Sequence, residues 1–83
     1  MEQLHHNINE IGMKLQNLEV EQHHNVEPSS QDDSYSLVLL LLHRMKIVHA
    51  ECCVFLKHQY MDMAFFKYQH LLLLMSDYNK VST

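Results

Sequence analysis

Glycine and proline are nearly missing from this chain: Gly12 and Pro28 are the only ones among 83 residues. One glycine cannot build a Gly-rich phosphate loop or a Gly-flanked nucleophile elbow. Hydrolase and nucleotide-binding chemistry of those kinds are therefore excluded. Cysteine is scarce too, with only the adjacent pair Cys52 and Cys53. Neighbours on a helix point about 100° apart and cannot bridge each other. No secretory signal is recognisable in the acidic, polar start of the chain. The expected location is cytoplasmic or nuclear.

Basic residues are few, six Lys and Arg against ten Asp and Glu. They form no cluster beside stacking aromatics, so no nucleic-acid partner is expected. Long uncharged runs are also lacking. The longest lie around Leu37–Leu42 and Leu71–Met75, far short of the ~20 residues a membrane span needs.

What the chain has in quantity is apolar side chain: 47% of residues are hydrophobic, with six Met, three Phe and four Tyr. A chain this short closes only a marginal core by itself. Association is the expected way to bury the excess, and disorder is disfavoured.

From Tyr35 to Tyr78 there is neither Gly nor Pro. Leucine quartets stand near both ends, at Leu39–Leu42 and Leu71–Leu74. One apolar row recurs at helical spacing from Val38 to Leu74, and a second row (Ile47, Val54, Met61, Phe65, Leu72) sits about half a turn away. A helix apolar nearly all round is covered by neighbours on more than one side. The pattern predicts one long helix over about 35–79, spanning ~66 Å at 1.5 Å per residue, with a frayed tail at 80–83.

Residues 3–24 carry a narrower signal. Leu4, Ile8, Ile11, Leu15 and Leu18 alternate spacings of four and three, a coiled-coil seam with one packing partner. Gly12 falls off that seam and weakens the helix by roughly 1 kcal/mol relative to Ala. Between the helices, residues 25–34 hold Pro28 and a Ser/Asp run suited to capping, with Ser30 and Asp33 spaced as a loose capping box.

The expected fold is thus all-α: a single helical domain over 1–83, built as a hairpin and assembling into an oligomeric bundle. Charge supports the hairpin. Residues 1–34 carry one lysine against seven carboxylates, net −6, and residues 35–83 carry five bases against three acids, net +2. The first helix reaches back only to about residue 55, which leaves the apolar second half uncovered by its own chain unless a break near Lys57–Gln59 folds it into three helices, an alternative ranked below association because no turn residue stands there. The expected interchain interface is Leu41, Met45, Val48, Cys52, Phe55, Leu56, Tyr60, Met63, Phe66, Leu73 and Leu74. The quartets centre symmetrically on Leu56–Lys57, which suggests an antiparallel dimer about that point.

Eight histidines invite a metal reading. His49 shares a helix face with Cys52 or Cys53, and one His and one Cys from each of two chains would make a tetrahedral set. Yet paired Cys-x-x-Cys spacing is absent, and a buried Cys commonly acts as a small hydrophobe. Glu-x-x-His occurs at Glu2–His5 and Glu21–His24, but no Glu on the apolar face completes a di-iron set. His49, Gln59, Lys67 and His70 interrupt the apolar face, as polar residues that set register or partner choice do. No cofactor and no catalysis are expected. The function expected is a protein-interaction or scaffolding module that homo-oligomerises, a dimer being favoured. The alternatives are a small subunit that folds only with a helical partner, and a metal- or cofactor-binding bundle using His49 and Cys52.

Overall fold

The structure, a computed structural model, describes residues 2–24 and 33–82. Its described residues are helical apart from one tight turn. Helix α1 spans Glu2–His24, α2 spans Asp33–Lys57 and α3 spans Met61–Ser82. Pro28 and the Ser30 end of the expected capping box lie outside the described residues. Acidic Glu2 and Asp62 stand in first turns and basic Lys57 and Lys80 in last turns, each favourable to the helix dipole.

The long helix expected over 35–79 is two helices, and the hairpin of two is a bundle of three. The chain reverses at His58–Tyr60, where Gln59 has φ 63°. The hydrogen bonds there are those of a Schellman motif. Tyr60 N–H donates to the Phe55 carbonyl at 2.8 Å and Gln59 N–H to the Leu56 carbonyl at 3.1 Å. The Phe55 and Tyr60 rings meet edge to face with centroids 6.4 Å apart, which supplies the hydrophobic contact that accompanies this cap.

Burial explains why the turn forms without glycine. A non-Gly residue in the left-handed region costs roughly 1–2 kcal/mol. Fully burying one large apolar side chain stabilises by about 1.5–3 kcal/mol. Folding back buries Ala64, Leu71, Leu74 and Tyr78 of α3, so packing outweighs the strained residue several times over.

The helices run up, down and up. Glu19 meets Lys46 and Ile8 meets His49 across the antiparallel α1–α2 pair. Glu51 meets Lys67 across the antiparallel α2–α3 pair. The body measures 45 × 18 × 18 Å, too short to hold a ~66 Å helix. The antiparallel pairing expected between two chains about Leu56–Lys57 is therefore made within one chain, with a turn at the pivot. Leu41 and Leu42 from one quartet and Leu71 and Leu74 from the other share one core.

That core holds Ile8, Ile11 and Leu15 of α1 and Val38, Met45, Val48, Cys52 and Leu56 of α2. Leu4, Leu18, Phe55, Met61, Tyr68, Met75 and Val81 pack around it. Val81 anchors the end of α3, so residues 80–82 are helical, not frayed.

Candidate interaction surface

The turn at His58–Tyr60 resets the phase of the apolar row. Before it, Leu41, Met45, Val48, Cys52 and Leu56 all point into the core. After it, the row continued from Leu56 would reach Met63, Phe66 and Leu73, but the core takes Ala64, Leu71, Leu74 and Tyr78 instead. Met63, Phe66 and Leu73 are left 46%, 63% and 66% exposed.

The expected interface residues thus divide. Leu41, Met45, Val48, Cys52, Leu56 and Leu74 are inside their own chain's core, with Phe55 half-buried beside them. Tyr60, Met63, Phe66 and Leu73 lie on the surface. The expected α1 seam faces inward, with Ile8, Ile11 and Leu15 buried and Leu4 and Leu18 packed against the core.

Further apolar residues stay exposed on α2: Leu37, Leu39, Leu40, Ile47 and Val54. Their placement follows from helical rotation. His49 points at α1, with Nε2 2.9 Å from the Ile8 carbonyl. Stepping ~100° per residue, Leu37, Leu40, Ile47 and Val54 all lie roughly 120–180° around α2 from His49. On α3, Tyr68 points at α1, its hydroxyl accepting from Asn7 Nδ2 at 3.2 Å. Met63, Phe66 and Leu73 lie ~140–160° away from Tyr68 by the same rotation. These seven side chains therefore share one broad face of the α2–α3 pair, opposite α1.

Polar groups punctuate this face. Glu51 and Lys67 pair across it at 3.4 Å. Arg44 and Asp77 are exposed toward its other end, and half-buried His70 lies between. Ile47, Ala50, Glu51, Val54 and Phe55 line a shallow apolar depression on it.

The α1 side is built differently. Lys46 and Glu19 pair at 2.9 Å. Gln22 Nε2 donates to the Tyr78 hydroxyl at 3.1 Å. His49 donates from Nε2 to the Ile8 carbonyl, which only accepts. Gly12 makes this possible: a Cβ there would stand 2.8 Å from His49 Nε2. The signal was present in the sequence, as a lone glycine in mid-helix beside an apolar seam marks a close approach. Gln59, Lys67 and His49 thus have structural duties, in the turn, in an ion pair and in the α1–α2 contact.

The metal candidates His49 and Cys52 are not brought together as ligands. Cys52 is fully buried. Burial, then the neighbouring Cys53 and Glu51, push its thiol up to about 11, away from the thiolate that binds metal. The sulfur near His49 belongs to Cys53, 3.8 Å from the imidazole, and burial pushes that thiol up as well. Among the described residues, no three His, Cys, Asp or Glu side chains are grouped to hold a metal. No described helix is long and apolar enough to cross a membrane.

Comparison of the chain with protein-family models, with characterised proteins and with solved structures found no match.

Proposed function

We propose that this chain is a non-catalytic protein-interaction module whose docking surface is the α2–α3 face opposite α1. One observation carries the reading: seven large apolar side chains, exposed by 42–66%, share a single face of a small body. Scattered exposed hydrophobes are ordinary, whereas large ones gathered on one face mark an association site. Two parallel ridges of side chains on antiparallel helices suit helical neighbours, since ridges pack into grooves. A scaffold role fits a chain whose other conspicuous groups, His49, Gly12 and the cysteines, serve its own packing.

Sedimentation of the purified chain at micromolar concentration tests this. The expected result is a species heavier than 9.9 kDa, or a chain that stays soluble only with a co-expressed partner. A stable, helical, monodisperse 9.9 kDa monomer would overturn the reading.

A further inference from the structure

The α2 part of the docking face is symmetric about Ile47. Leu40 and Val54 stand seven residues to either side of it, each two helical turns away. Between them lie Arg44, three residues before Ile47, and Glu51, four residues after. Their charges are opposite, so the stripe complements itself when turned end for end. Helix α3 carries a second pair in the same sense. Lys67 sits level with Glu51 through their ion pair. Asp77, ten residues farther along α3, lies within about one turn of the level of Arg44.

We propose that the occupant of this face is a second copy of the chain, laid face to face and antiparallel, with the two-fold axis passing at the level of Ile47 and His70. This rests on the α2–α3 face being the docking surface. Each Arg44 then meets Glu51 of the second copy, twice by symmetry, and Lys67 approaches Asp77 of the second copy. Leu40 packs on Val54 of the second copy, and Ile47 packs on its own mate. Four helices, two from each chain, enclose the apolar face, and α1 of each chain stays outside. A parallel second copy would instead lay α2 on the other chain's α3. That arrangement sets Ile47 against His70 and Leu40 against Asp77, facing apolar side chains with polar ones.

Cysteine crosslinking of the full chain separates the two, with Cys53→Ser removing the exposed native thiol. Under mild oxidation, Ile47→Cys should join to itself rapidly, because it sits at the axis. Leu40→Cys should not, since it lies ~21 Å along the axis from its mate at 1.5 Å per residue. Mixed with Val54→Cys, it should give a hetero-crosslink. Rapid self-joining of Leu40→Cys, or its pairing with Asp77→Cys in place of Val54→Cys, would overturn the antiparallel copy. Failure of all crosslinks in a 9.9 kDa chain would bring down the docking face as well. Their failure in a chain soluble only with another protein would remove the second copy alone. An independent check is charge reversal with retained helical content. Arg44→Glu should weaken association about tenfold, because two pairs break at once. Adding Glu51→Arg should recover part of the loss. Equal association of the wild type and Arg44→Glu would contradict the proposed ion pairs.

Discussion

Helices α1 and α3 both run antiparallel to α2, and they meet it in different ways. Helix α1 offers a narrow apolar seam and fastens its flanks with polar contacts: Glu19 to Lys46, Ile8 to His49, and Gln22 to Tyr78 on α3. Only Met13 and Val20 remain as exposed large hydrophobes on it. Helix α3 is apolar on most of its circumference, and its Lys67 pairs with Glu51 of α2. Met63, Phe65, Phe66, Leu72 and Leu73 stay exposed on it. A helix's apolar width reports how many neighbours it has. The seam of α1 matches what its own chain provides. The circumference of α2 and α3 exceeds it, and most of the excess lies on the side away from α1, while Leu39 and Phe65 stay exposed beside α1.

Substitutions within one leucine quartet probe this contrast most strongly. Leu71 is fully buried and Leu73 is 66% exposed. Leu71→Ala should destabilise the fold by about 2–5 kcal/mol, the range for core leucines. Leu73→Ala should leave the chain's own fold within roughly 0.5 kcal/mol and weaken only association. Chemical denaturation at low and high protein concentration reads both effects. Similar losses for the two variants, independent of concentration, would erase the distinction between core and docking face.

The buried Cys52 thiol gives a pH signature to the same core. Its folded pKa is raised from 9.0 to about 11. The stability this contributes is present below pH 9 and is lost as pH rises through 11, because the unfolded thiol ionises first. The expected loss over that interval is about 2 kcal/mol at most. Cys52→Ala should show a shallower decline than the wild type when melting is followed from pH 8 to 11. Parallel declines would contradict it.

Much of this architecture was legible in the sequence, and the reasons divide by element. The α1 seam from Leu4 to Leu18 could be read because a period of three and four needs only local spacing. The helical nature of residues 35–78 could be read for the same reason. The turn at His58–Tyr60 was open only as the lesser alternative of a break near Lys57–Gln59, because no Gly or Pro marks it. Its left-handed residue is Gln59, where glycine is usual, and its other determinants are backbone hydrogen bonds and the Phe55–Tyr60 contact, none of which has a spacing signature. Ranking the unbroken helix first also misplaced the face. Met63 aligns with Leu56, seven residues before it, only if the helical phase runs on unbroken, and the turn left Met63 exposed. His49 was visible as a polar interruption, but its partner is the Ile8 carbonyl, and backbone atoms have no letter in a sequence.

Gly12 sharpens the α1 half of the comparison. Alanine usually stabilises a helix by roughly 1 kcal/mol over glycine. Here its Cβ would meet the His49 ring at 2.8 Å and displace the bond to Ile8. Gly12→Ala should therefore lower the melting temperature, and combining it with His49→Ala should relieve the clash and restore the helix-forming gain. A more stable Gly12→Ala single variant would show that α1 and α2 are not held in this close approach.

The turn offers the smallest effect. Gln59→Gly removes the left-handed penalty and should stabilise the fold by up to about 1 kcal/mol, partly offset by greater freedom in the unfolded chain. Destabilisation on thermal melting would mean that the Gln59 side chain does something beyond occupying the turn.

The most direct test sets one exposed residue of each side against the other in sedimentation equilibrium. Phe66→Glu charges the α2–α3 face and Met13→Glu charges α1, at positions 63% and 58% exposed. The wild type and Met13→Glu should sediment as the same assembly. Phe66→Glu should fall to 9.9 kDa with its helical content intact. A wild type already at 9.9 kDa, or equal behaviour of the two variants, would contradict the assignment of the α2–α3 face as the surface through which this chain associates.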